Sequence, residues 1–149
     1  MKIYVINGPN LNMLGIREPD FYGSETYENL LKIIDEHTKW LEIECVCYQS
    51  NHEGDLVDKI QEAFFEGADG IVINPGAYTH TSIALLDALK AVKLPTVEVH
   101  ISRLEEREDF RQISYVRLAC EKCITGMGVN GYLSAIDYLI ELYAKGTGK

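Results

Sequence analysis

Glu98 and His100 stand two residues apart in "VEVHIS", so an extended strand projects both side chains from one face. A charged acid in so apolar a stretch is costly unless it is paired. A glutamate beside a histidine can orient the imidazole and hold it protonated, which is what a general acid requires. An ion pair at the rim of a sheet explains the same two residues equally well. A second candidate lies in "LGIREPDFYG", Leu14 to Gly23, where an arginine, two acids and a tyrosine occupy the place a phosphate loop commonly takes after a first strand. With a pKa near 10, about one tyrosine in a thousand is ionised at neutral pH, a deficit of roughly 4 kcal/mol. A guanidinium within a few ångströms lowers such a pKa by about one to three units. Arg17 could thus make a base of Tyr22, although a packed tyrosine and a solvated arginine account for the pair when it is taken alone. The third stretch, "NPGAYTHTS" from Asn74 to Ser82, holds more hydrogen-bonding groups than a turn needs. A Pro-Gly turn and a Thr81 or Ser82 helix cap explain part of it. Asn74 and His80 are left over, beside a helix N-terminus suited to a carboxylate or polar oxygen.

These groups are useful only if a scaffold brings separate chain segments together. Nearly continuous apolar runs at "KIYVIN", "IECVCYQ", "GIVIN" and "PTVEVH" suit strands buried on both faces. Between them, Tyr27, Leu30, Leu31, Ile34 and Leu41, then Leu56, Ile60, Ala63 and Phe64, then Ile83, Leu85, Leu86 and Leu89 recur at helical spacing. A weaker strand, "KCITG", precedes a closing helix marked by Tyr132, Leu133, Ile136, Leu139, Ile140 and Tyr143. The alternation predicts an α/β fold: a flavodoxin-like three-layer sandwich with a five-stranded parallel sheet in the order 2-1-3-4-5. Ligands of such sheets bind beyond the carboxyl ends of the strands, near the point where strand order reverses. The loops after the first, third and fourth strands are therefore the ones expected to carry the site.

The 149 residues suit one catalytic domain spanning 1–149, with "KGTGK" as a frayed tail and the charged run "RLEEREDFR" as a solvated turn or short helix. A net charge of −9 argues against nucleic-acid or anionic-membrane partners, which need a basic face; an anionic ligand would have to be held by local arginines. The strand pattern begins within two residues of the N-terminus, leaving no space for a secretory signal, so the cytoplasm is the expected location. Cys45, Cys47, Cys120 and Cys123 could in principle form a four-thiolate zinc site, but the strand spacing of the first pair reads better as two small buried residues, and no metal is expected. Gly126, Gly128 and Gly131 have the spacing of a dinucleotide fingerprint, but late in the chain and without the acidic residue that should follow. A tight turn with close backbone packing is expected there.

The stretches "NGPNLNMLGIREPDFYG", "SNHEG", "INPGAYTHTS" and "VEVHIS", followed by "REDFR", together resemble type II 3-dehydroquinate dehydratase, from Lys2 to about Tyr143. The resemblance implies a cofactor-independent lyase that removes water from 3-dehydroquinate to give 3-dehydroshikimate through an enolate, in the shikimate or quinate pathway. It further implies Tyr22 as the base, Arg17 as the cation holding it ionised, and Asn10 as a residue that positions a water at the enolate. His100 would be the acid for the departing hydroxyl, with Glu98 orienting it. Substrate binding would fall to Asn74, His80, Ile101, Ser102 and Arg111, the backbone amides of Ile101 and Ser102 receiving the carboxylate. Asp87 would reach a neighbouring subunit's site, in a homo-oligomer of trimers assembled as a dodecamer.

Some residues depart from that family's pattern. Arg103 replaces an asparagine, Leu86 a common arginine, Gln112 a frequent histidine, and "CEKCITG" is unusual before the last strand. Two other classes remain distinguishable by simple observation: a flavodoxin-like binding module would purify yellow, and a zinc-stabilised interaction protein would unfold on chelation.

Overall fold

The apolar runs form one five-stranded, wholly parallel sheet in the order β2-β1-β3-β4-β5. In the computed structural model, which describes residues 1–16, 20 and 25–146, the strands are β1 (Lys2–Asn7), β2 (Glu44–Gln49), β3 (Gly70–Asn74), β4 (Thr96–His100) and β5 (Lys122–Thr125). Among the described residues, the α-helices that alternate with them are α1 (Tyr27–Trp40), α2 (Glu53–Phe65), α3 (Ile83–Val92) and α4 (Asn130–Ala144). This is the three-layer α/β architecture and strand order that the sequence pattern predicts.

Successive strand residues face opposite sides, and both sides are covered. Ile3 and Val5 of β1 with Val72, Val97 and Val99 pack under Leu30 and Ile34 of α1 and Ala135, Ile136 and Leu139 of α4. Tyr4, Ile6, Ile71 and Ile73 pack on the other side under Leu56 and Ile60 of α2 and Leu85 and Leu89 of α3. Double coverage is why β1 and β3 read as unbroken apolar runs. Thr26 caps α1 by accepting from the Asn29 amide, and Ser82 rather than Thr81 caps α3, accepting from the Leu85 amide at 3.0 Å. Three residues of the predicted apolar stripes are instead exposed: Phe64 by 51%, Ile83 by 56% and Tyr143 by 41%. Each stands in a terminal turn of its helix.

The strand order also decides the cysteine question. Cys45 and Cys47 lie on β2 at one edge, their sulfurs 3.9 Å apart, while Cys123 lies on β5 at the other edge. Four strand spacings, roughly 19 Å, separate the pairs, so one chain cannot gather all four thiols around one ion.

Candidate active site

Strand order reverses at β1, whose neighbours are β2 and β3, and a cleft opens beyond the carboxyl ends of the strands there. It encloses about 670 Å³, its open mouth included. All three predicted loops contribute: Asn10, Leu11 and Leu14 after β1, Asn74 and His80 at and after β3, and His100 to Arg111 at and after β4. Of the candidate residues, the cleft gathers Asn10, Asn74, His80, His100, Ile101, Ser102 and Arg111. Glu98 stands behind His100, fully buried. Asp87 is exposed on α3 and does not line the cleft. Arg17 and Tyr22 lie outside the described residues.

The loops after β1 and β3 interlock. A Cβ on Gly8 would lie 2.4 Å from the Pro75 carbonyl oxygen, and one on Gly76, whose φ is +59°, would lie 2.9 Å from that of Pro9. Glycine is required at both positions by close approach, and at Gly76 also by backbone conformation. Asn10 itself is left-handed, with φ 70°, a conformation that asparagine tolerates better than most residues. Its amide donates to Asn51 Oδ1 at 3.0 Å, and the same oxygen accepts from Gln49 Nε2 at 3.1 Å. Asn51 belongs to "SNHEG", and the structure shows what that stretch holds.

At the end of β4, His100 Nε2 and Glu98 Oε1 are 2.6 Å apart. Glu98 Oε1 also accepts from Ser114 Oγ at 2.9 Å and from Thr79 Oγ1, and Arg117 Nε stands 3.5 Å from Oε2. Burial by itself would raise the Glu98 carboxyl. The His100 hydrogen bond and charge, with the Thr79 and Ser114 hydroxyls, bring it down to about 2 instead. Glu98 is therefore a carboxylate at neutral pH, acceptor-only, and it engages Nε2 of the imidazole. Among the described residues nothing engages Nδ1, a ring atom able to give or take a proton. The other cleft histidine differs. His80 Nδ1 donates to the Ile113 carbonyl at 2.6 Å. Burial lowers its pKa, against the Ile113 hydrogen bond, and His100 and Arg111 lower it further. His80 is thus neutral near pH 7, with Nε2 available to accept.

After β4 the chain is anchored by the late glycines. The Gly126 amide donates to the carbonyls of His100 and Ser102, at 3.3 and 3.0 Å, and the Gly128 amide to that of Ile101 at 3.2 Å. Both glycines have positive φ, and a Cβ on Gly131 would lie 3.3 Å from Val99 and 3.4 Å from Ile124. The glycine pattern is thus a turn that holds the cleft-lining segment 100–102. Arg103 covers Gly126, and Gln112 Nε2 donates to the Leu104 carbonyl at 2.8 Å, so two of the unusual residues staple this region. The third, Leu86, is buried in α3.

Sequence reasoning missed Arg107, which lines the cleft with its side chain only 2% exposed and Nη1 3.4 Å from Ser102 Oγ. It stands in "REDFR" with Arg111, and an arginine four residues from a chosen one was the available signal. Thr79 and Ser114 were missed too, because their partner Glu98 is distant in sequence. Among the described residues no group of three or more His, Cys, Asp or Glu is arranged to hold a metal ion.

The family model for dehydroquinase class II matches residues 1–140. The 3-dehydroquinate dehydratase of Fusobacterium nucleatum is 54% identical over 97% of this chain and 100% of its own length; that of Caldicellulosiruptor bescii is 52% identical over 95% and 97%. The crystal structure of the type II dehydroquinase from Butyrivibrio crossotus superposes with a TM-score of 0.93 at 59% identity, covering 94% of this chain and 97% of that one. Strand order, cleft and likeness over nearly the whole length agree: the chain belongs to the dehydroquinase class II family.

Proposed function

We propose that the protein eliminates water from 3-dehydroquinate to give 3-dehydroshikimate through an enolate, using neither metal nor organic cofactor. The observation that carries this reading is the convergence, in one cleft, of an imidazole held on a buried carboxylate with two asparagines and two arginines. Removing a proton beside a ketone builds charge on oxygen, so the reaction needs a base, a donor near that oxygen and an acid for the leaving hydroxyl. His100 supplies the acid from Nδ1, with Glu98 fixing the ring. Asn10 orders a water against the enolate oxygen. Tyr22, held ionised by Arg17, removes the proton; those two assignments rest on the family resemblance of the sequence.

The substrate's carboxylate is received by the amides of Ile101 and Ser102, and Arg107 and Arg111 supply the positive charge that a chain of net charge −9 otherwise lacks. Asn74 and neutral His80 bind ring hydroxyls. A trimer completes the site through Asp87, and four trimers form a dodecamer. Exposed Ile83, Phe110, Ile113 and Leu118 offer apolar surface for that assembly on and around the helix that bears Asp87. No helix among the described residues is long and apolar enough to cross a membrane, and with this reading we place the enzyme in the cytoplasm, in the shikimate or quinate pathway.

The test is direct. Purified protein, exhaustively chelated and mixed with 3-dehydroquinate, should develop the ultraviolet absorbance of a conjugated enone; folded wild-type protein that gives none refutes the reading. Tyr22→Phe should reduce turnover at least about a thousandfold while leaving ligand affinity within a few-fold. Near-normal turnover would remove Tyr22 from the role of base.

A further inference from the structure

At the carboxyl ends of β1 and β3, Asn7 and Asn74 are paired in register, and the hydroxyl of Tyr132, from α4, sits between their side chains. It accepts from Asn74 Nδ2 at 2.8 Å and donates to Asn7 Oδ1 at 2.7 Å. Tyr132 and Asn7 are fully buried and Asn74 is 4% exposed. Asn74 nevertheless lines the cleft, so this chain of neutral groups runs from the interior to the site.

The two ends of a carboxamide have nearly the same shape, so hydrogen-bond pattern decides which end faces where. One group in this chain cannot be reversed. The Gly76 amide can only donate, and it donates to Asn74 Oδ1 at 3.2 Å. Asn74 Nδ2 must then face Tyr132, whose oxygen accepts and whose single proton must find an acceptor, Asn7 Oδ1. Asn7 Nδ2 is thereby turned away. It makes no hydrogen bond of full geometry, yet it acts on the Tyr27 hydroxyl, opposing the rise in pKa that burial causes there. The polarity of the whole chain follows from one backbone donor, and the phenol transmits it because a hydroxyl both accepts and donates.

We infer that Tyr132 is a positioning residue for the reaction: its hydroxyl locks the Asn74 side chain so that the remaining N–H and the amide oxygen meet the substrate's hydroxyls in one orientation. Without the phenol, Asn74 keeps only the Gly76 anchor and can rotate away. The inference rests on the cleft being the dehydroquinate site, and it assigns a binding duty to a residue of the closing helix that touches no ligand.

Tyr132→Phe keeps the ring and removes only the hydroxyl. It should raise KM for 3-dehydroquinate about tenfold and change kcat less than about threefold. In an Asn74→Ala background the same substitution should change KM less than about twofold further, because the residue through which it acts is gone. Asn7→Ala, which leaves the phenol in place, should raise KM about threefold, and it carries the test if Tyr132→Phe does not fold. Crystals of the variants should show Asn74 displaced from its wild-type rotamer or split between two. Equal losses in both backgrounds, a loss confined to kcat, or an unmoved Asn74 overturns the inference. Should the wild type fail to turn over 3-dehydroquinate, the functional reading falls, while the Asn74 rotamer still decides whether the phenol holds it.

Discussion

The cleft is supported from the two faces of the sheet by different chemistry. On the side of α2 and α3, opposite Val97 and Val99, it rests on a charged pair: Glu98 takes His100 together with the hydroxyls of Thr79 and Ser114. On the side of α1 and α4 it rests on neutral groups, Asn74, Tyr132 and Asn7. The charged support needs several donors, because an isolated buried carboxylate is very costly. Every one of those donors alters its proton affinity. The neutral support needs only consistency of direction, which a single amide supplies. One face thus carries groups whose charge responds to pH, and the other carries groups that stay neutral.

Three experiments press on that division, in order of expected size. His100→Ala should lower kcat about a thousandfold, near 4 kcal/mol in barrier, with KM little changed, the reverse of the pattern expected when the amide face is cut. Enone absorbance under saturating substrate measures it, and a loss appearing mainly in KM would erase the distinction between the faces. Acid stability comes next. The folded Glu98 carboxyl titrates at about 2 against an ordinary 4.5, so its contribution is fully present above about pH 4.5 and is lost as pH falls towards 2. Its full size is about 3 kcal/mol. Denaturant titrations between pH 5 and 2 should show a shallower decline for Glu98→Gln than for wild type, and Tyr132→Phe should decline in parallel with wild type. The smallest effect belongs to Arg117→Gln. With its side chain 45% exposed and Nε 3.5 Å from Glu98 Oε2, Arg117 is screened by solvent. kcat should change less than about threefold; a tenfold fall would make the guanidinium part of the acid's support.

The elements were legible because their signals are local. Double burial writes β1 and β3 as unbroken apolar runs, and "VEVHIS" places Glu98 and His100 on one face by strand period alone. The loops that carry the cleft followed from the strand order, which fixes where the sheet reverses. Less legible were contacts whose halves are far apart in the chain. Tyr132 reads as one more apolar position of the closing helix, and nothing near it signals that its hydroxyl meets Asn7, 125 positions away. Arg107 sits in a run dense with charge, where a solvated face is the simpler expectation, and only the fold turns it inward. Ser114 has no neighbours in sequence that announce a carboxylate.

The interlocked glycines at positions 8 and 76 have a mechanical consequence. Because each loop presses a backbone carbonyl into space a side chain would need, the segments after β1 and β3 are packed backbone against backbone. Neither loop can yield to a bulkier ligand without carrying the other. Adjustment to ligand size therefore falls to the opposite wall, residues 102–112, which is joined by short 3₁₀ turns and held largely through side chains, among them Gln112 on the Leu104 carbonyl and Thr125 on Glu105. Substitutions that widen what the enzyme accepts should arise there, and those at the glycines should be lost with the fold.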